Sequence, residues 1–129
     1  MSVDTKPFFE EITIPYLNSI VNGDCYELCK ELPPNSIDCV ITSPPYFQQR
    51  DYGSSVGEEE TIDEYIYSLT KVVKELVRVV KPTGSILYNI GDKYLPNDGL
   101  QLIPYKFAEH IKNELNLYLV NVIQWHKTN

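Results

Sequence analysis

Short apolar runs alternate with stretches of helical periodicity along the chain. The run Ile-Asp-Cys-Val-Ile-Thr at positions 37–42 suits a buried parallel strand. After Thr61, apolar residues recur at spacings of three and four, at Ile62, Tyr65, Ile66, Leu69, Val72, Val73, Leu76 and Val80. Thr61 and Glu64 match a capping box at the start of this stretch. The pattern therefore predicts a strand followed by a long helix.

The other patterns continue this alternation. They predict strands at residues 19–22, 85–90 and 117–125, helices at residues 25–32 and 102–115, and a long loop at residues 47–60. Residues 81–84, Lys-Pro-Thr-Gly, are predicted to end the long helix. Because strands and helices alternate, we expect an α/β fold, a partial Rossmann-like sheet of mostly parallel strands with flanking helices.

Three polar or proline-containing segments follow predicted strands directly. They are Gly23-Asp24, the tetrapeptide at residues 43–46, and Gly91-Asp92. Ligands of open parallel sheets bind beyond the carboxyl ends of the strands. We therefore expect these segments to meet at one edge of the sheet and to form the functional site.

Composition narrows the class of protein. Of the 129 residues, 43% are hydrophobic and 22% charged, which favours one globular domain over a disordered chain. With no apolar stretch of bilayer length and no apolar signal core in residues 1–11, we expect a cytoplasmic protein without membrane partners. The cysteines, Cys25, Cys29 and Cys39, are expected to be free and largely buried, and no metal site is predicted. The net charge of -7 disfavours contact with nucleic acid.

Several short motifs, taken in order, change this picture. They are Asn22-Gly23-Asp24, residues 38–46 with Ser43-Pro44-Pro45-Tyr46, Arg50-Asp51-Tyr52-Gly53, residues 81–84, Asn89-Ile90-Gly91-Asp92 and residues 125–129. The set resembles the β-class DNA amino-methyltransferases of restriction-modification systems, from about Ile20 to the last residue. Such enzymes methylate cytosine N4 or adenine N6 with S-adenosylmethionine.

The resemblance implies roles for individual residues. Ser43, Pro44, Pro45 and Tyr46 match the catalytic motif. Asp24 matches the aspartate that contacts the adenine of S-adenosylmethionine, with Cys25 beside it and Ser43 also near the cofactor. Arg50, Asn89 and Asp92 are expected at the target-base pocket or the DNA. Because Ser-Pro-Pro-Tyr is typical of cytosine N4 enzymes and Asp-Pro-Pro-Tyr of adenine N6 enzymes, Ser43 favours cytosine N4.

The tetrapeptide also suits this chemistry on physical grounds. The lone pair of an exocyclic base amine is delocalised into the ring, so two acceptors on its hydrogens would make the nitrogen more nucleophilic. The Ser43 hydroxyl and the Pro44 carbonyl are candidates, since proline restricts the backbone that carries the carbonyl. The Tyr46 ring could stack on an extruded base. The alternative is a plain strand-ending turn with Tyr46 packed on a neighbour.

Local structural roles compete with some of these assignments. Asp24 is expected to cap the helix that follows it, a role that is compatible with contact to the cofactor. Asp92 could be a turn residue only. Trp125 is expected in a core or an interface rather than in a stacking platform.

The sequence also departs from the family pattern. No glycine-rich cofactor loop of the Phe-x-Gly-x-Gly type occurs, and no target-recognition region is present. We therefore expect residues 1–129 to form one partial catalytic domain, inactive alone, whose partners are DNA and a complementary methyltransferase chain or segment that carries the basic surface. Exposed apolar faces could also drive self-association. The alternatives are a fragment of an adenine N6 enzyme and a non-catalytic remnant or assembly subunit.

Overall fold

The computed structural model describes residues 13–51, 53 and 55–128. Tyr52 and Asn129, which belong to two of the motifs, and the N-terminal residues 1–12 lie outside the described residues. The elements are α1 (Cys25–Glu31), β1 (Ile37–Thr42), α2 (Ile62–Val79), β2 (Val80–Tyr88), β3 (Tyr94–Leu95), β4 (Gly99–Leu100) and α3 (Ile103–Leu115). Among the described helices, none is long and apolar enough to cross a membrane.

Strands β1 and β2 form a parallel pair joined by α2. Ile37 pairs with Val80 and Cys39 with Ser85, so Asp38 alone faces the four residues 81–84. The predicted Lys-Pro-Thr-Gly turn is therefore a bulge inside β2, and the strand begins earlier than expected. Glycine is required at its end, because a Cβ on Gly84 would lie 2.7 Å from the Asp38 carbonyl oxygen.

The long helix α2 forms as the pattern predicts. Thr61 Oγ1 accepts a hydrogen bond from the Glu64 N–H at 3.2 Å, and the Glu64 carboxylate accepts one from the Thr61 N–H at 3.1 Å. This confirms the capping box. The apolar face of α2 supplies most of the core cluster, which consists of Phe47, Tyr65, Ile66, Leu69, Val73, Ile103 and Phe107.

Helix α1 is fastened to the end of α2 by one side chain. The Arg78 guanidinium donates to the carbonyls of Leu32 and Cys29, both at 2.9 Å, and to the Glu75 carboxylate at 2.8 Å. The last carbonyls of a helix lack partners within that helix. The guanidinium therefore satisfies the Cys29 carbonyl in the last turn of α1 and the carbonyl of Leu32, the residue that follows α1. It places the C-terminal ends of α1 and α2 together.

A short hairpin and α3 follow β2. The two-residue strands β3 and β4 pair antiparallel and were not predicted, since two-residue strands carry no detectable periodicity. Helix α3 begins at Ile103 with Pro104 in its first turn, as the sequence predicts. Its preceding residue, Leu102, is left-handed at φ 59° and makes no side-chain cap.

Two predicted strands are wrong. Residues 19–22 and 117–125 have no regular secondary structure, and most of their side chains are exposed. Trp125, for example, is 80% exposed and not packed in a core. An apolar segment becomes a strand only when a neighbouring strand takes up its backbone N–H and C=O groups. In the part of the chain that the structure describes, β1 and β2 pair with each other and not with these segments.

The sheet is buried unevenly. Val40, Thr42, Ile86 and Tyr88 are partly buried on one face, whereas Cys39, Ile41, Ser85 and Leu87 are exposed on the other. The cysteines are free as expected, but the prediction that they are largely buried is wrong, since Cys25 and Cys39 are exposed. Among the described residues, no layer packs on the face of the parallel pair that carries Cys39, and Cys25 lies in the exposed first turn of α1. The fold class itself, a partial Rossmann-like α/β arrangement, is confirmed.

Candidate active site

The tetrapeptide 43–46 lies at the carboxyl edge of the parallel pair. Thr42 pairs with Tyr88 at the end of β1 and β2, and the Asn89 N–H donates to the Thr42 carbonyl at 2.9 Å. The chain therefore enters Ser43 and leaves Asn89 at the same edge. Both side chains are exposed there, which is the juxtaposition that the strand pattern predicts.

Within the tetrapeptide, polar and aromatic groups face solvent while the backbone is held. Ser43 is exposed, and its hydroxyl donates to the Tyr46 hydroxyl at 3.4 Å. Pro44, Pro45 and Tyr46 are half-buried. A bond as long as 3.4 Å is weak, so the Ser43 hydroxyl is available to another donor at little cost.

Two buried aromatic residues hold the turn from below. The hydroxyl of Tyr65, a fully buried residue of α2, donates to the Pro45 carbonyl at 2.6 Å. The Tyr65 ring also packs on the buried Phe47 ring, with centroids 5.5 Å apart. The residues on both sides of Tyr46 are therefore anchored in the core.

The loop between Tyr46 and α2 folds back under the turn. Gly57 is buried at φ +95°, and a Cβ there would lie 3.1 Å from both the Pro45 Cβ and the Tyr46 carbonyl oxygen. The Gln48 N–H donates to the Gly57 carbonyl at 2.6 Å. Only glycine combines this left-handed backbone with so close an approach, so Gly57 helps to fix Tyr46.

Gly91 supports Tyr46 from the side. A Cβ on Gly91 would lie 2.9 Å from two atoms of the Tyr46 ring. The second strand end, which consists of residues 89–92 after β2, therefore contacts the Tyr46 ring directly. The absence of a side chain at Gly91 makes room for the ring.

Replacing Gly91 with alanine is expected to displace the Tyr46 ring without unfolding the protein. Tyr46 is half-buried and its ring can rotate away, so the thermal midpoint should change little. Methyl transfer by a complemented enzyme should fall ~5-fold, within the range that overpacking costs. Asn113→Ala, which changes an exposed residue of α3, is the control for activity. Equal rates for both variants would contradict the contact's importance.

Asp92 has a strong structural role. Its carboxylate accepts backbone N–H bonds from Lys93 at 2.8 Å and from Leu102 and Ile103 at 3.0 Å each. It thus caps α3 from ten residues away, because Leu102 offers no cap of its own. This geometry favours the turn-and-cap alternative for Asp92 and leaves Asn89 the more accessible polar group at this strand end.

Arg50 lies in the open part of the loop after Tyr46. It lines a shallow groove with Gln48, Gln49, Asp51, Gly57 and Glu58. The loop is attached to the second strand end, because the Gln49 amide donates to the Asp92 carbonyl at 2.8 Å and Lys93 Nζ donates to Gln48 Oε1 at 3.0 Å. Arg50 is exposed, a position from which a guanidinium can reach a phosphate.

Asp24 and Cys25 approach the same edge from α1. Arg78 joins the C-terminal ends of α1 and α2, whereas the N-terminal turn of α2 carries Tyr65 beneath the tetrapeptide. At the other end of α1, the Cys25 thiol interacts electrostatically with Tyr88, the last residue of β2, so the N-terminus of α1 lies toward that strand end. Asp24 Oδ1 accepts the Glu27 N–H at 3.1 Å, which confirms its role as a cap.

Electrostatic effects agree with this placement. Desolvation, and then the Asp24 carboxylate, raise the pKa of the Cys25 thiol. The pKa of Tyr88 is raised far above its ordinary value, mainly by burial and further by Tyr65 and Cys25. Cys25, at the start of α1, is thus close enough to the end of β2 to affect the pKa of Tyr88. Both groups are neutral near pH 7.

The carboxylate of Asp24 fits the role of a cofactor ligand. Asp24 is exposed, and one oxygen serves as the helix cap while the other has no hydrogen bond among the described residues. An exposed carboxylate oxygen suits a ribose hydroxyl or an adenine amine. No group of three potential metal ligands occurs in the described part of the chain.

Sequence reasoning missed two contributors to the site, Tyr65 and Gly57, and gave Gly91 no contact of its own although it belongs to the predicted Gly91-Asp92 segment. The helical pattern placed Tyr65 on the apolar face of α2. Its hydroxyl could have indicated a further contact, because a buried tyrosine usually has a polar partner. Gly57 and Gly91 carry no side-chain signal. Their contacts with the tetrapeptide depend on how the loop and the second strand end approach it in three dimensions.

Comparison with known proteins now bears on this geometry. A family model described as DNA methylase, covering N6 and N4 amino-methyltransferases, matches residues 37–129, which include the tetrapeptide and both strand ends. The chain belongs to this DNA methylase family. The resemblance inferred from the motifs is thereby confirmed.

The curated relatives that this chain matches include type II methyltransferases. It is 40% identical over 115 residues to M.MwoI of Methanothermobacter wolfeii, covering 85% of this chain and 17% of the relative. It is 34% identical over 125 residues to M.SfiI of Streptomyces fimbriatus, covering 83% of this chain and 30% of the relative. The chain thus spans less than a third of the length of either relative.

A solved structure agrees with the family. The cytosine-N4-specific PvuII DNA methyltransferase matches with a TM-score of 0.63 and 28% identity, over 75% of this chain and 34% of that one. The resemblance therefore extends to the three-dimensional arrangement of this chain.

Proposed function

We propose that this chain is the target-base half of an S-adenosylmethionine-dependent DNA methyltransferase that methylates cytosine N4. The observation that carries the proposal is the exposed Ser43 and the half-buried Tyr46 on a core-anchored Pro-Pro turn, at the carboxyl edge of a parallel strand pair. Membership of the family supports amino methylation of DNA. The cytosine-N4 specificity named for the PvuII enzyme, together with Ser43, supports cytosine over adenine.

The proposed mechanism uses two acceptors and one ring. The Ser43 hydroxyl and the Pro44 carbonyl accept the two hydrogens of the base amine, which directs the nitrogen lone pair out of the plane of the base. The Tyr46 ring stacks on the extruded base and keeps it in register. When bound, S-adenosylmethionine supplies an electrophilic methyl group on a positively charged sulfur. The amine nitrogen would displace the sulfur from this methyl carbon, so that the sulfur would leave as an uncharged thioether. The proton that the amine then loses would pass to solvent water, and no strongly basic side chain is needed.

The other site residues have supporting roles in this proposal. Asp24, with Cys25 beside it, holds the adenosine end of the cofactor on the side of Ser43. Arg50 and Asn89 face the DNA or the base from the same edge. Asp92 shapes the pocket through its three backbone bonds and through the segment it shares with Gly91.

We further propose that activity requires a complement, as a separate chain or as a further segment of a longer one. The exposed face of the strand pair includes Ile41, which is 79% exposed, and Leu87, which is 44% exposed. Residues 117–125 carry further exposed apolar side chains. Apolar area of this extent usually marks an interface. The complement would also supply positive charge for the phosphates, since this chain carries -7.

Three alternatives can be distinguished from this proposal by experiment. An adenine N6 enzyme would have the same turn, because a serine can accept from either amine. A non-catalytic remnant or assembly subunit would bind a methyltransferase partner without contributing a working pocket. Self-association would cover the same apolar surface with a second copy and would appear as a dimer in solution.

A chimera tests these proposals. Residues 1–129 replace the matching segment of M.SfiI, and the purified chimera is incubated with DNA and labelled S-adenosylmethionine. We expect methyl transfer by the chimera, N4-methylcytosine in the digested DNA, and no transfer by the 129-residue chain alone. The control is the chimera with Ser43→Ala and Tyr46→Ala together, which should be inactive.

Three other results of this experiment would contradict part of the proposal. N6-methyladenine would support the adenine alternative. A folded chimera that binds cofactor and DNA but transfers nothing would support the non-catalytic alternative. Robust turnover by the 129-residue chain would contradict the need for a complement.

A further inference from the structure

The Tyr65 hydroxyl contacts the backbone of the tetrapeptide from inside the core, although Tyr65 itself would not touch the base or the cofactor. Tyr65 is fully buried in α2, twenty residues after Pro45, and its hydroxyl donates to the Pro45 carbonyl at 2.6 Å. Most of the α2 core face is aliphatic, including Leu69, Val73 and Leu76. An aliphatic side chain would fill this space without the desolvation cost of a hydroxyl. The polar contact therefore has a purpose beyond filling the core.

The bond distinguishes the two proline carbonyls of the turn. In the described part of the chain, a hydrogen bond reaches the Pro45 carbonyl but none reaches the Pro44 carbonyl. A residue before proline is confined to extended conformations, so Ser43 and Pro44 are both extended. The proline ring fixes φ of Pro45, so ψ of that one residue sets the angle between the Pro44 and Pro45 carbonyls. Directing the Pro45 carbonyl into the core therefore restricts where the Pro44 carbonyl can point.

We propose that Tyr65 is a positioning residue, whose hydroxyl fixes the Pro45 carbonyl and thereby orients the Pro44 carbonyl and the Tyr46 ring toward the target base. Its ring makes a second contact on the other side of Tyr46, by packing on Phe47. The two contacts bracket Tyr46. This inference rests on the proposed function for its catalytic meaning, whereas the hydrogen bond and the orientation can be tested without it.

The chain offers a matched control on the same helix. Tyr67 is two residues further along α2 and 61% exposed, so it points away from the core. Tyr65→Phe and Tyr67→Phe remove the same hydroxyl, one from the turn and one from the surface. Both keep the ring, so neither should open a cavity.

The first measurement uses the 129-residue protein with ¹³C-carbonyl-labelled proline. Loss of a hydrogen bond changes the carbonyl resonance, so Tyr65→Phe should shift the Pro45 signal and Tyr67→Phe should leave it unchanged. Amide hydrogen exchange of residues 46–50 should accelerate in Tyr65→Phe only. An unshifted Pro45 signal with unchanged exchange would overturn the inference.

The second measurement separates positioning from general stability in the M.SfiI chimera. Loss of one neutral hydrogen bond that acts on orientation predicts a ~10-fold lower kcat for Tyr65→Phe. The KM for S-adenosylmethionine should stay the same, because the cofactor side of the site is not altered. A wild-type kcat in Tyr65→Phe, or an equal fall in Tyr67→Phe, would overturn the inference. Absence of transfer by the unmutated chimera would instead count against the proposed function, and the Pro45 signal would still decide on the bond.

Discussion

Replacing Tyr46 with alanine is expected to lower kcat/KM of the complemented enzyme about 5- to 150-fold, because base–aromatic stacking contributes roughly 1–3 kcal/mol. The ring is half-buried against Gly91 and has one side available for a base. The assay is labelled methyl transfer by the M.SfiI chimera at several DNA concentrations. A parallel measurement of base extrusion, with 2-aminopurine at the target position, should show weaker fluorescence in the alanine variant.

Tyr46→Phe is the control for this prediction. It keeps the ring and removes only the hydroxyl, whose contact with Ser43 at 3.4 Å is weak. We expect a rate within about threefold of the unmutated chimera, since little stacking is lost. If the alanine variant also kept its rate, Tyr46 would have no role in the pocket. If the phenylalanine variant lost as much as the alanine variant, the hydroxyl rather than the ring would be important.

Replacing Leu69 with alanine is expected to reduce the free energy of unfolding by about 2–5 kcal/mol, the usual cost of a core cavity of this size. Leu69 is 1% exposed and lies in the cluster that includes Tyr65, Phe47 and Phe107. Small domains are stable by roughly 5–15 kcal/mol in total, so this loss is large. Because Tyr65 and Phe47 belong to the same cluster, the turn above them should loosen as well. Urea unfolding followed by circular dichroism measures the change.

Leu119→Ala is the matched control, since it makes the same chemical change at a residue that is 53% exposed. It should change stability by less than about 0.5 kcal/mol, as exposed substitutions usually do. In the chimera, Leu119→Ala also tests whether Leu119 contacts the complement. If Leu119 lies in the interface with the complement, the substitution should weaken the chimera although it leaves the 129-residue chain unaffected. Equal losses for Leu69→Ala and Leu119→Ala in the isolated chain would show that the core is not where the structure places it.

The elements with strong local signals were predicted correctly. Helix α2 has a capping box at Thr61 and a sustained apolar face, and both determine its start and its buried side. Strand β1 is a compact apolar run followed at once by Pro44 and Pro45, which cannot continue a ladder as donors. The start of α3 at Ile103 follows from the preference of proline for a first turn. These features depend on neighbours in sequence.

The failed predictions depended on neighbours in space. Residues 19–22 and 117–125 have the apolar character of strands, yet a strand requires a second backbone to bond with, and sequence periodicity does not say whether one is present. The exposure of Cys39 has the same origin, because it lies on a face of the strand pair that no element of the described part of the chain covers. Composition and periodicity describe what a segment prefers, not what packs against it.

The sequence by itself determined the family of this protein, the residues of its Pro-Pro turn and the helix and strand that carry them, because motifs and caps are local. Only the tertiary structure decided that Tyr65 holds the Pro45 carbonyl, that Gly57 and Gly91 leave room for the Tyr46 backbone and ring, and that Asp92 caps a helix ten residues away. Such contacts join residues distant along the chain, and their geometry is set by the packing of whole elements, which no local pattern encodes.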